Sequence, residues 1–152
     1  MTRSPITAAP SETIVDAWVA LQRAQARAFD MVEGKLKAAG LPKLEWYDVL
    51  LELERGGPLR PRDLQARLLF AQYNLSRLLD RMVAAGLVGR EACPDDHRGA
   101  LIAITDTGRK LRKRMWLTYG PAIEAAVGRF LSEAEALQLS KLLTRLAVDP
   151  SA

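Results

Sequence analysis

Apolar residues recur every three or four positions in separate segments of the chain, the spacing that places them on one buried face of a helix. The first such segment follows Ser11, whose hydroxyl can cap a helix, and extends to Gly40. A second helix is predicted over Leu44 to Arg55. A third, short helix starts near Pro61, because proline is favoured in a first helical turn.

The fourth helical segment, predicted over Ala71 to Ala85, has polar and basic side chains outside its apolar stripe and stops at Gly86. These outward-facing residues are Gln72, Asn74, Ser76, Arg77 and Arg81. Two tightly joined helices, the second with a polar and cationic face, are typical of a helix-turn-helix. A plain helical hairpin with a solvated face fits this segment equally well.

Two short strands are predicted next, Leu87 to Glu91 and Ala100 to Thr105, separated by a turn over Cys93 to Gly99. In that turn Asp96 precedes Arg98 by two residues. A carboxylate so placed can hold the guanidinium extended, which favours its entry into a narrow, negatively charged DNA groove. The alternative is a surface turn with an incidental salt bridge. Because the turn follows a basic helix, we prefer the DNA-binding interpretation.

Two further helices complete the pattern. Thr105 or Asp106 can cap the fifth, which opens with a run of cations and contains Pro121, predicted to kink it. Ser132 and Glu135 have the spacing of a capping box, which opens the sixth. The pattern as a whole predicts a mainly α fold with one small β-hairpin.

Composition adds few constraints beyond a single soluble domain. The chain has 152 residues, of which 49% are hydrophobic and 26% charged, as is usual for a globular protein. No apolar run approaches membrane length, and the first ten residues, interpreted as a flexible tail, lack the apolar core of a signal peptide. We therefore expect a cytoplasmic protein that does not interact with membranes.

The distribution of charge is more informative than the net charge, which is only +4. Arginines crowd into the middle of the chain, at Arg60, Arg62, Arg67, Arg77, Arg81, Arg90 and Arg98. Arginine suits bidentate recognition of phosphate, so this region is a candidate for nucleic-acid binding.

The residues most often used in catalysis and metal binding are scarce. The single cysteine, Cys93, excludes an internal disulfide and a cysteine cluster, and the single histidine, His97, has no partner at a recognisable spacing. We therefore predict no catalytic residues, no metal site and no cofactor. Two aspartates near Cys93 would raise the pKa of its thiol, which disfavours a redox role.

With this order of elements, the chain resembles the MarR family of winged helix-turn-helix transcriptional regulators over roughly Ser11 to Val148. The matching motifs are Tyr47-Asp48-Val49-Leu50, Leu75-Ser76-Arg77-Leu78-Leu79-Asp80-Arg81-Met82, Gly86-Leu87-Val88, and Pro94-x-Asp96-x-Arg98-Gly99. The resemblance divides the chain into a tail (1–10), an N-terminal helix of a dimerisation lobe (11–40), a winged helix-turn-helix lobe (41–108) and C-terminal dimerisation helices (109–152). The chain departs from the family at Leu69-Phe70, where a capping Ser or Thr is usual.

The resemblance implies a homodimer in which the fourth helix enters the major groove and Arg98 enters the minor groove. It also implies a small effector, often a phenolic or aromatic acid, bound between the two lobes. The predicted DNA-binding residues, with Asp96 supporting the wing, are Arg60, Arg62, Gln72, Asn74, Ser76, Arg77, Arg81, Arg90, His97 and Arg98. The predicted effector pocket contains Trp18, Arg23, Arg27, Trp46 and Tyr47, although aromatic residues at helical spacing are often plain core.

We therefore expect a repressor, not an enzyme, that binds a pseudo-palindromic double-stranded operator as a homodimer. One alternative is a winged-helix module that binds an acidic protein without reading DNA sequence. Another is a small enzyme using carboxylates such as Glu52, Glu54 or Asp80, but these are scattered beside cations.

Overall fold

The computed structural model, which describes residues 8–69, 74–93 and 96–148, with the backbone alone for 96–98, contains six α-helices and one β-hairpin. The elements are α1 (Glu12–Ala38), α2 (Leu44–Gly56), α3 (Pro61–Arg67), α4 (Leu75–Ala84), β1 (Val88–Cys93), β2 (Asp96–Ile104), α5 (Asp106–Ala126), a 3-10 turn (Gly128–Phe130) and α6 (Glu133–Ala147). The predicted mainly α fold with a small hairpin is confirmed. The predicted tail falls largely in residues 1–7, outside the described residues.

Three helices begin where their capping residues predict. The Ser11 hydroxyl accepts a hydrogen bond from the amide of Ile14 at 3.2 Å, at the start of α1. Thr105 caps α5 in the same way, at 3.1 Å from the amide of Gly108. Ser132 and Glu135 form both hydrogen bonds of the predicted capping box at α6. These helix starts can be predicted from local sequence because each capping side chain accepts a hydrogen bond from an amide in the first turn of its own helix.

The predicted start of the fourth helix at Ala71 is wrong. Asn74 is the cap of α4, with non-helical backbone angles, so the helix begins at Leu75. Its side-chain Oδ1 accepts a hydrogen bond from the amide of Arg77 at 3.3 Å. Asparagine competes with helical hydrogen bonding in this way, which explains why apolar spacing misplaced the boundary. Residues 71–73 lie outside the described residues.

The predicted turn over Cys93 to Gly99 is too long. Cys93 pairs with Asp96, and both belong to strands, with an irregularity after Ala92, which pairs with Ala100. A bulge therefore takes up the extra residues of β2 near the tip, where composition alone indicated a turn. Two backbone hydrogen bonds join Leu59 to Ile102, at 3.0 and 2.7 Å, and fasten the hairpin to the segment between α2 and α3.

The hydrophobic core is built from side chains of α1 to α5 and the hairpin. Its most deeply buried side chains are Leu36, Val49, Leu50, Leu53, Leu64, Leu78, Met82, Ile102 and Met115. Gly108, in the first turn of α5, packs so closely that a Cβ atom there would lie 2.2 Å from the carbonyl oxygen of Leu87. Gly86 ends the turn after α4 with φ of 75°, a conformation that favours glycine. Glycine at these two positions brings the hairpin against α5.

The two ends of the chain leave apolar side chains uncovered. No residue of α6 is buried, and Leu146 is 71% exposed. Near the start of α1, Trp18 is 63% exposed. The helix α5 continues through Pro121 to Ala126 and packs along α1. Within the described residues, no helix combines the length and apolar character needed to cross a membrane.

Candidate DNA-binding surface and ligand cavity

The helix α4 has one buried apolar face and one exposed polar face. Its buried residues are Leu75, Leu78, Leu79 and Met82. On the opposite side, Asn74, Arg77, Asp80 and Arg81 line a solvent-facing depression. Ser76 is also exposed. The predicted groove-facing residues of α4 that the structure describes therefore share one surface, which we call the α4 face. Gln72 lies outside the described residues.

The two arginines of the α4 face have different environments. Arg81 lies 3.6 Å from the Glu45 carboxylate, and its side chain is 62% exposed. No described residue pairs with the side chain of Arg77, although its backbone amide contacts the Asn74 cap. Arg77 is thus the cation on this face that is freer to meet an external anion.

The Arg90 guanidinium on β1 binds Asp80 on α4, with 2.5 Å between Nη2 and Oδ1. Both side chains are largely exposed, so this ion pair contributes little to the free energy of unfolding. Its effect is geometric because it joins the hairpin to the helix beside it. Arg90, predicted to bind DNA, is therefore placed to orient the wing relative to the α4 face.

The remaining predicted cations lie around the base and tip of the wing. Arg60 precedes α3, and its guanidinium lies 3.3 Å from the buried sulfur of Cys93 at the end of β1. Arg62 is exposed in the first turn of α3. The backbone of His97 and Arg98 belongs to β2 close to its pairing with Cys93, so both residues are near the hairpin tip, together with Asp96.

A cavity of about 410 Å³ lies between α2 and α5, within the usual size range for small-molecule sites. Its lining residues are Tyr47, Asp48, Leu51, Glu52, Arg55, Leu69, Arg112, Trp116, Tyr119 and Ile123. Arg112 also forms an ion pair with Glu54, which joins α5 to α2. The cavity thus lies between the helix-turn-helix and the helix α5 that packs on α1.

Three aromatic rings form one wall of this cavity. The centroids of Tyr47 and Tyr119 are 4.8 Å apart in an edge-to-face arrangement, and those of Trp116 and Tyr119 are 5.7 Å apart. Tyr47 and Trp116 are stacked at 6.2 Å. Trp116 is still 46% exposed, so the aromatic wall is open to solvent on one side.

Of the five residues predicted for the effector pocket, Tyr47 lines this cavity and the other four lie elsewhere. Trp18 and Arg23 are exposed on α1, and Trp46 packs against the core. The Arg27 guanidinium donates to the carbonyl of Ala126 at 3.2 Å. The predicted pocket did not include Asp48 or the cavity residues of α5, which are Arg112, Trp116, Tyr119 and Ile123 and recur at helical spacing on one face.

Asp48 is a buried carboxyl in the cavity wall, with only 3% of its surface exposed. Burial raises its pKa from an ordinary value of 3.8 to about 6, against the opposing effect of a hydrogen bond from the Leu69 amide. The nearby Glu52 carboxylate raises this pKa further. Burial, with Tyr47 and Asp48, also raises the pKa of the Tyr119 hydroxyl.

Asp48→Asn should stabilise the fold at pH 7.5. Because the folded-state pKa of Asp48 lies above the unfolded value, its ionisation lowers the free energy of unfolding as pH rises from about 4 to 6, and the loss persists above that range. The asparagine keeps an oxygen for the Leu69 amide and cannot ionise. Urea unfolding should show a gain of about 1–3 kcal/mol at pH 7.5 that largely disappears at pH 4. An equal difference at both pH values would contradict the assignment.

Comparison with known proteins supports the architecture. The MarR family model matches residues 39–99, which include α2, α3, α4 and most of the hairpin. The structure of Sco3205 from Streptomyces coelicolor in complex with DNA is 22% identical, with a TM-score of 0.83 over 95% of this chain and 91% of that one. AbsC from the same organism, a MarR family transcriptional regulator, is 25% identical, with a TM-score of 0.77 over 93% and 96% of the two chains.

A third structure concerns the regulation of DNA binding of Bordetella bronchiseptica BpsR by 6-hydroxynicotinic acid. BpsR is 21% identical to this chain, with a TM-score of 0.81 over 93% of this chain and 99% of that one. No curated protein sequence matches the chain. The family match spans the helix-turn-helix and hairpin, and the shared fold extends over the helices at both ends. Residues 39–99 therefore match the MarR family, and the chain as a whole has the winged-helix fold of the MarR-family structures it resembles.

Proposed function

We propose that the protein is a transcriptional repressor that binds a specific double-stranded operator as a homodimer. The observation that carries this proposal is the α4 face, an exposed surface that includes two arginines and the Asn74 amide and is joined to the hairpin by the Asp80–Arg90 ion pair. A helix of this kind fits the major groove, and the adjacent hairpin reaches the neighbouring minor groove. The DNA complex of Sco3205, a protein with the same fold, supports this arrangement.

The exposed apolar ends of the chain support a dimer. On α1 they include Ile14, Val15 and Trp18, and on α6 they include Leu139, Leu142, Leu143 and Leu146. Soluble monomers rarely leave such contiguous apolar faces uncovered. A second copy of the chain, related by a two-fold axis, would cover both faces and present two α4 faces to one operator.

An effector in the cavity between α2 and α5 would regulate DNA binding. The hydrogen bond from the Leu69 amide to Asp48, 2.7 Å long, connects the cavity wall to the chain segment that leads into α4. A molecule that occupies the cavity and disturbs this bond would shift the α4 face relative to the wing. The regulation of BpsR by a small aromatic acid supports a role for small molecules in this fold.

Selection of bound sequences from random double-stranded DNA tests the proposal. A pseudo-palindrome should be enriched, with half-sites roughly 10 base pairs apart, because two symmetric helices enter successive turns of the groove. For about 6–10 phosphate contacts, affinity for the selected site should fall by roughly 10³–10⁵-fold between 50 and 200 mM salt. No enrichment, or equal affinity for scrambled DNA, would indicate instead a winged helix that binds a protein partner.

A further inference from the structure

The cavity between α2 and α5 contains a carboxylate that no cation neutralises among the described residues. Asp48 accepts a hydrogen bond from the Leu69 amide and faces the like charge of Glu52, one helical turn further along α2. Two guanidiniums line the cavity. That of Arg112 is paired with Glu54, and that of Arg55 is exposed to solvent. A buried carboxylate of this kind attracts a ligand with positive charge.

The charge around the cavity disfavours an anion. Among the described residues, Asp48, Glu52, Arg55 and Arg112 are the charged groups that line it, and Glu54 neutralises Arg112, which leaves two carboxylates against one guanidinium. An anionic ligand would bring a second negative charge close to Asp48 in a site partly removed from water. Repulsion is strengthened there because screening by solvent is weak.

The aromatic wall suits a flat ligand with an attached cation. Tyr47, Trp116 and Tyr119 all line the cavity and contact one another in stacked and edge-to-face arrangements. Aromatic faces attract ammonium groups, and edge-to-face contacts accommodate a further ring. The aromatic wall and Asp48 therefore offer complementary contacts for the two ends of one small molecule.

We propose that the ligand of this cavity is an aromatic monocation of the arylalkylammonium class. Its ring lies against the aromatic wall, and its ammonium group pairs with the Asp48 carboxylate. The positive charge of this ligand is opposite to the negative charge of the aromatic acids that the family resemblance implies. Binding itself requires only the cavity, whereas its regulatory consequence, altered operator affinity through the Asp48–Leu69 contact, rests on the proposed function.

The test is isothermal titration calorimetry of the full chain, without DNA, against three compounds that differ in one group. These compounds are 2-phenylethylammonium, the neutral 2-phenylethanol and the anionic 3-phenylpropanoate. At pH 7.5 we expect the ammonium compound to bind at least tenfold more tightly than the anion, with the alcohol between them. Equal or tighter binding of the anion, or no binding of the ammonium compound, would overturn the proposal.

Variants locate the charge that is recognised. Asp48→Asn keeps the acceptor for the Leu69 amide and should lower affinity for 2-phenylethylammonium at least tenfold while leaving affinity for 2-phenylethanol unchanged. Asp30→Asn removes an exposed carboxylate from α1, away from the cavity lining, and should bind all three compounds as wild type does. Unchanged ammonium affinity in Asp48→Asn, confirmed as folded by circular dichroism, would show that Asp48 is not the partner.

Operator binding is then measured separately by fluorescence anisotropy, with and without 2-phenylethylammonium. If the ammonium compound binds but no DNA does, the ligand assignment stands and the proposed regulator function fails. If operator DNA binds but the ammonium compound does not, the regulator stands and the ligand assignment fails. The two proposals can therefore be rejected independently.

Discussion

Leu142→Glu together with Leu146→Glu should convert the protein to a monomer and lower its operator affinity by about 100-fold or more. The two leucines are one turn apart on α6 and are 47% and 71% exposed in the single chain. In a dimer interface the glutamates would be buried without partners, which strongly disfavours association. A monomer engages one half-site at a time and so loses the effective concentration that links two half-sites.

The measurements are sedimentation equilibrium for mass and fluorescence anisotropy for operator affinity. Leu137→Glu is the matched control because Leu137 is also exposed, at 58%, but lies on roughly the opposite side of α6. It should remain dimeric and bind the operator normally. Since no α6 residue is buried within the chain, the double variant should keep its helix-turn-helix lobe folded by circular dichroism. A dimeric double variant with normal operator affinity would exclude this face of α6 as the interface.

Arg77→Ala should weaken operator binding by about 10- to 100-fold, corresponding to roughly 1–3 kcal/mol for a side chain that contacts a base edge. Arg77 lies in the first turn of α4, is exposed, and has no side-chain partner among the described residues. Alanine preserves the helix, so the loss should come from the contact and not from unfolding. Selection with this variant should also show relaxed preference at one position in each half-site.

Arg23→Ala provides the comparison for Arg77→Ala. It removes an equal charge from the exposed surface of α1, outside the α4 face, and should change operator affinity by less than about twofold, because distant surface charges are screened at physiological salt. If both variants lost the same affinity with unaltered sequence preference, general electrostatic attraction and not base recognition would explain binding. The assignment of α4 as the recognition helix would then be wrong.

Local sequence was enough to predict most elements of the fold. Ser11, Thr105 and Ser132 cap helices through groups within three residues of themselves, so each start is visible without knowledge of the rest of the chain. The family motifs around α4 and the hairpin correctly indicated the architecture for the same reason. The boundary at Asn74 was misplaced because the apolar spacing extends upstream of a residue whose side chain caps the first turn of the helix.

The composition of the cavity could not be obtained in this way. Trp46 and Tyr47 are adjacent in sequence, but only Tyr47 lines the cavity, because neighbouring residues on a helix point about 100° apart. In the sequence Asp48 is an ordinary polar residue, and only in the folded chain is it buried and hydrogen-bonded by the Leu69 amide. Likewise, nothing in the spacing of Asp80 and Arg90 indicates that they meet across the junction of helix and strand.

The amino-acid sequence by itself determined the order of helices, their caps, the hairpin and the concentration of arginine in the middle of the chain. These properties arise from hydrogen bonds and side-chain spacing within a few residues. The tertiary structure alone decided which cations are already paired, which aromatic rings line a cavity and which carboxyl is buried. Those properties depend on contacts between segments far apart in the chain, where the dielectric environment and the available partners are set by packing.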